Sequence, residues 1–160
     1  MVELVVVMAV MAIMVAMVVT FTMMCNAWSH WGTNRYDLTV SERQADAFLR
    51  TFVSVYDTAD YTFAVKDGRL LAIRIGDSTE QHYFYQTESG ELEFDTTAGV
   101  GYCPMDFVTN VRFEVYTKDN GRQLVHMSLH YSLPNMGVGT SQEVGIYDVL
   151  VSTRTAGVAA

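Results

Sequence analysis

His126 and His130 stand four residues apart, the spacing of a metal-ligand pair on one face of a helix. They fall instead in a strand-like run, "QLVHMSLHY". Four residues of strand span about 13 Å, whereas zinc holds its ligands within about 2 Å. The expected role is polar-face packing, with His126 near Glu114 and no metal. Ser29-His30 has the residue types of a nucleophile and base but no third member to orient them. Gly137-Val138-Gly139 follows "LPNM" and opens no visible helix, so it reads as a loop rather than a phosphate cradle. Asp77, Glu80, Glu88 and Glu91 gather near expected turns and have calcium-binding chemistry, but not the spacing of a calcium loop. Cys25 and Cys103 could pair outside the cytoplasm, although two cysteines make neither a disulfide framework nor a metal site. Nothing in these residues argues for an enzyme, and no cofactor is expected.

One titratable residue is placed where chemistry alone does not explain it. Glu3 heads the run "LVVVMAVMAIMVAMVVTFTMMC", Leu4 to Cys25, in which Thr20 and Thr22 are the only hydroxyls. A helix of those 22 residues would span a hydrocarbon core of about 30 Å. A carboxylate at the centre of such a helix costs about 2.5–3.5 kcal/mol on insertion scales, so Glu3 needs a position or a partner that relieves it. Ala9, Ala12 and Ala16 recur at three and four residues, a small-residue face that admits a second helix closely. Met8, Met11, Met14 and Met17 surround it with adaptable side chains, or simply face lipid. A cleaved secretory signal and a lipoprotein cysteine are competing readings. The first lacks a basic n-region, is too long for a usual h-region and has Trp28 in the middle of the small-residue site "AWS"; the second would want a small residue where Met24 stands.

The elements that would carry these residues follow from periodicity. Residues 1–25 form a membrane or assembly helix, 26–57 its amphipathic continuation, and 58–160 a sheet domain. In "LTVSERQADAFLRTFVSVYDTAD", Thr39 and Glu42 match a capping box, and Ala45, Phe48, Phe52 and Val55 recur at helical spacing with Leu49 and Tyr56 beside them. Phe48, Phe52 and Val55 are the expected helix–sheet contact. No proline occurs before Pro104, so nothing forbids one long helix from residue 2 to about 56. Weak helix formers at Gly32 and Asn34 still allow a break between Gly32 and Asp37. From Tyr61 the period becomes two. Hairpins are expected at Asp67-Gly68, at Ser89-Gly90 and at Asp119-Asn120-Gly121. The third register can be tested by pattern. A three-residue loop pairs Val115 with Val125, Phe113 with Met127, Val111 with Leu129 and Glu114 with His126, leaving one apolar face that a helix must cover. "GIYDVLVST" adds a last strand. Tyr83, Phe84, Tyr85 and Phe94 form an aromatic patch that is either core or partner surface. The fold class is α+β, a long N-terminal helix packed on an antiparallel sheet.

Outside the apolar run the chain is acidic, with 17 acidic against 10 basic side chains once Glu3 is set aside, so direct binding to nucleic acid is not expected.

The stretch "MVELVVVMAVMAI" resembles the start of type IV pilins and type II secretion pseudopilins. There an aromatic residue, a threonine and two apolar residues precede a glutamate and a membrane helix. Met1, Val2 and Glu3 match the last three of those positions. The resemblance implies a structural subunit of a type IV pilus, a competence pilus or a secretion pseudopilus, most similar to the minor subunits. In the family a prepilin peptidase removes a basic leader and methylates the new amine, and subunits pass from an inner-membrane assembly platform into a filament. The glutamate matching Glu3 faces the N-terminal amine of a neighbouring subunit. The implied location is a single-pass membrane protein with its C-terminal domain outside the cytoplasm. As written, the chain begins without the family's leader, its glycine and the first two mature residues. The expectation is that Met1 is an internal methionine or that the gene is truncated. Sequencing upstream checks this: in-frame codons should encode a Lys/Arg-containing leader ending in glycine, then an aromatic residue and threonine. A stop codon immediately upstream would leave a bitopic protein that only mimics a pilin.

Overall fold

The computed structural model describes residues 2–96, 99–134 and 142–156. It begins with one helix, α1, from Val2 to Tyr56. Val and Ile are only moderate helix formers. An apolar medium overrides that preference, because only a helix satisfies its own backbone there. The hydroxyls of Thr20 and Thr22 donate to Ala16 O and Val18 O, each at 2.8 Å, so neither interrupts the apolar surface with an unmet donor. The helix passes through Gly32–Asp37 without the break that the local sequence allows. The capping box expected at Thr39 is absent for the same reason: Thr39 is interior to α1 and its hydroxyl bonds back to Arg35 O at 2.9 Å.

Eight strands follow, β1 (Tyr61–Lys66), β2 (Arg69–Arg74), β3 (Asp77–Gln86), β4 (Leu92–Thr96), β5 (Gly99–Cys103), β6 (Val108–Thr117), β7 (Arg122–Pro134) and β8 (Gln142–Ala156). The fold is α+β, with two antiparallel sheets in place of one: β1-β2-β3-β4-β5 and β6-β7-β8. The first hairpin turns on Asp67 and Gly68, both with positive φ (53° and 74°), as a two-residue loop between right-twisted strands requires. The third takes the three-residue loop. Val115 faces Val125, Phe113 faces Met127, Val111 faces Leu129 and Glu114 faces His126, with Gly121 left-handed at φ 75°.

A side chain joins the two sheets where backbone pairing stops. Gln123, buried at the start of β7, receives the Phe63 N–H at its Oε1 (2.8 Å) and donates its Nε2 to Phe63 O (2.9 Å). Its amide thus stands in for one more residue of strand beside β1. Two glycines admit rings from the neighbouring strand. Phe94 lies over its β5 partner Gly101, and Tyr131 over its β8 partner Gly145; a Cβ at either glycine would run into the ring.

Both sheets close on the second half of α1. Its buried face is Leu38, Ser41, Ala45, Leu49, Phe52, Val53 and Tyr56. Phe52 has no exposed surface and is ringed by Tyr56, Phe84 and Phe63 at centroid distances of 5.1, 5.5 and 6.3 Å. Phe113 reaches the same cluster edge-on to Phe84 at 5.5 Å, so the apolar face of β6 and β7 shares this core. Val55 corrects the expected stripe. It is 43% exposed, lying about a quarter turn off the centre of the buried face, where Val53 and Tyr56 take its place. Phe48 stands nearly as far off but is long enough to reach Phe94 at 4.9 Å.

Truncating Phe52 empties the centre of this core. Phe52→Ala should destabilise the sheet domain by about 3–5 kcal/mol. Val55→Ala should change stability by about 0.5 kcal/mol or less, as an exposed site does. Urea unfolding of the two variants, followed by near-UV circular dichroism, checks the contrast.

Candidate functional site

The first half of α1 buries nothing. Among the described residues α1 is the one helix long and apolar enough to cross a membrane, and its apolar window has no surface covered by the rest of the chain. Glu3 lies in the first turn, exposed. A carboxylate there gains about 0.3–1 kcal/mol from the partial positive charge of the helix N-terminus. The roughly 2.5–3.5 kcal/mol of a helix-centre carboxylate is an upper bound for Glu3, which stands at the end of the span, and the dipole offsets part of whatever cost remains. Ala9, Ala12 and Ala16 are exposed and share one face; Met8 and Met17 flank it, Met11 and Met14 lie on the opposite side of the helix, and all four are exposed. No side chain of the sheet domain competes for this surface among the described contacts.

The second half of α1 is tied to β8 at two points. The Arg35 guanidinium donates to Glu143 Oε1 at 2.5 Å. At the far end, Asp57 accepts the backbone N–H of Arg154 (2.6 Å) and of Thr155 (3.0 Å) on its two carboxylate oxygens, and Thr155 Oγ1 donates to Asp57 O. From Arg35 to Asp57 the helix rises about 33 Å, and from Glu143 to Arg154 the strand advances about 36 Å. The two elements therefore run side by side. A negative charge just past a helix C-terminus is disfavoured by the dipole by about 0.3–1 kcal/mol, less than the roughly 1.5–3 kcal/mol of a hydrogen bond to a charged group. Partial burial works to raise the Asp57 pKa, but the N–H groups of Arg154 and Thr155 outweigh it and hold the carboxyl below its ordinary value.

The remaining candidate residues are dispersed. Cys25 is exposed and Cys103 buried, and both are free. The Cys103 thiol sits 3.6 Å from Gln44 Oε1, and Gln44 lies 19 residues beyond Cys25 on a straight helix, about 28 Å along its axis. No pairing within the chain can close that gap. Burial also pushes the Cys103 thiol up to about 11, which keeps it a thiol rather than a reactive thiolate at neutral pH. His126 lies between Glu114 (Nδ1 to Oε2, 3.4 Å) and Asp148 (Nε2 to Oδ1, 3.0 Å), while His130 pairs across the sheet with Asn110 and Ile146. Asp77 opens β3 directly after the turn at Ile75 and Gly76, and Glu80 lies three residues further along the strand. Asp77 accepts from the Thr79 backbone N–H and hydroxyl, and Glu80 binds Tyr61 and Arg74. Glu88 and Glu91 stay at the β3–β4 loop. Among the described residues no group of three His, Cys, Asp or Glu could hold a metal ion. Ser29 and His30 are exposed on α1, with Ser29 O accepting from Thr33. Gly137-Val138-Gly139 lies outside the described residues.

The aromatic patch divides by strand alternation. Phe84 and Phe94 point into the core, and Tyr85 points outward beneath the Arg69 guanidinium at 4.4 Å, with Tyr83 on its side of the strand. Two features escape a reading of the sequence. One is the sandwiched ring of His82, stacked on Tyr56 at 4.5 Å with Asp95 at 3.5 Å and Glu80 at 4.0 Å. The other is the Asp57 clamp. A carboxylate directly after a helical stripe was the available signal for the clamp, but its partners lie 97 and 98 residues away.

Compared with protein-family models, with curated proteins and with solved structures, the chain finds no match.

Because the folded-state pKa of Asp57 is lowered, the clamp contributes stability above the ordinary carboxyl value of 3.8 and loses it as pH falls through the lowered value. Asp57→Ala should therefore lower Tm at neutral pH, and its deficit should shrink as the pH drops below 3.8. Thermal unfolding of both full-length chains in detergent, from neutral to acid pH, measures the closing gap.

Proposed function

We propose that the chain is a minor pilin or pseudopilin, a structural subunit of a membrane-derived filament and not an enzyme. One observation carries this reading: a single continuous helix has a wholly uncovered apolar half headed by a carboxylate, and a second half buried by an antiparallel β domain. A helix so divided belongs to two environments. In the membrane its apolar half is solvated by lipid. In a filament the same half is solvated by its copies, with the Ala9, Ala12, Ala16 face allowing close approach.

Glu3 then acts as a register pin. Among packed apolar helices its carboxylate is tolerable when an ammonium, the N-terminal amine of the adjoining subunit, lies against it. A subunit out of step leaves that charge unpaired, at a cost on the order of 3–5 kcal/mol. The partners are other subunits through α1, the assembly platform that lifts them, and the bilayer, with the sheet domain on the extracytoplasmic side. The competing reading is a membrane-anchored binding domain that never polymerises.

Glu3→Ala separates the two. Filament formation should be lost while the chain stays in the membrane fraction, scored by electron microscopy of sheared material and by fractionation. Filaments that form equally well with the Glu3→Ala variant would remove the pin. A chain that is solitary in the bilayer with or without the substitution would favour the anchored domain.

A further inference from the structure

We infer that Trp28, with Trp31 at its outer edge, forms an interfacial anchor that seats α1 in the headgroup layer of the leaflet facing the sheet domain. The inference rests on the reading of Leu4–Cys25 as a membrane span.

Three observations place the anchor. Trp28 and Trp31 lie about 5 and 9 Å beyond Cys25 along the helix axis. The headgroup layer adds about 5–7 Å to each side of the hydrocarbon core, so Trp28 lies within it and Trp31 at its outer edge, its side chain leaning back toward the helix N-terminus. Trp is enriched at that depth because its ring is apolar and its N–H is not. Both indoles also face the same way. Phe21, Trp28, Trp31 and Arg35 make one stripe on α1, and the Arg35 guanidinium lies over the Trp31 ring at 5.4 Å. Trp28 is 66% exposed, so nothing in the chain itself buries it. This stripe is about a third of a turn from the Ala9, Ala12, Ala16 face, so anchoring and helix pairing do not compete for the same side.

The occupant of this surface is the bilayer interface, and the helix passes the placement on. Leu38, the first buried residue of α1, stands about 20 Å beyond Cys25 with no break between. Arg35 sits below it, holding Glu143 of β8. Fixing the indoles at headgroup depth therefore fixes the sheet domain directly above the membrane surface rather than at the end of a loose tether.

Trp28 and Trp31 are the only tryptophans in the chain, so tryptophan fluorescence reports these two indoles, exposed Trp28 and half-buried Trp31. The full-length chain is reconstituted in phosphatidylcholine vesicles whose acyl chains carry bromine at a shallow or a deep position. A Trp28→Phe, Trp31→Phe, Met14→Trp variant, with its indole at the middle of the span, serves as the depth marker. The native indoles should show blue-shifted emission and be quenched more by shallow than by deep bromine, with the order reversed for the marker. Unquenched native indoles beside a deeply quenched marker would overturn the anchor and leave the span standing. Native indoles quenched most by deep bromine would also overturn it. If neither chain is quenched, the span and the anchor fall together.

Discussion

The body of this protein is organised around a length of helix that has no stable surface of its own. From Leu38 to Tyr56, α1 presents Ala45, Leu49, Phe52, Val53 and Tyr56 to one side, and two sheets that do not pair with each other meet across it. Each sheet has one apolar face, and neither could remain folded with that face in water. The ring of Phe52 is where they converge, with β1, β3 and the helix end around it and Phe113 of β6 behind. Backbone pairing between the sheets is replaced by the amide of Gln123, which holds Phe63 in the register a neighbouring strand would set.

How much of this is legible in the sequence depends on whether a feature is local. The β6–β7 register is readable, because strict alternation and a glycine at the left-handed loop position admit one pairing that keeps apolar residues together. The helix is readable as amphipathic, but its phase is not. Phe48, Phe52 and Val55 fit helical spacing as well as Leu49, Phe52 and Tyr56 do, and only the position of the sheets selects the second set. The division into two sheets is hidden because the seam is a side-chain amide matched to a backbone 60 residues away. Strand β5, "GVGYC", is hidden because glycine is depleted in strands, and here the missing side chain makes room for Phe94. The interruption allowed at Gly32 does not occur because one glycine costs only about 1 kcal/mol against a ladder continuous on both sides.

The candidate site divides along the same line. The apolar run, the carboxylate at its head and the small-residue face are all properties of consecutive residues and can be read directly. The contacts that fasten the helix to the body, Arg35 with Glu143 and Asp57 with Arg154 and Thr155, join residues about a hundred positions apart. They leave no local signature beyond a charge at each end of a stripe.

Together with the buried face of α1, those two fastenings shape how the molecule bears load, the Asp57 clamp more than the solvent-exposed Arg35–Glu143 pair. With β8 alongside α1 and secured near both ends, a pull along the helix enters the three-stranded sheet parallel to its strands. The hydrogen bonds between β7 and β8, registered from Arg122–Ala156 to Pro134–Gln142, are then strained together in shear instead of being peeled one at a time. A rod drawn lengthwise would carry its β domain with it as a single stiff body.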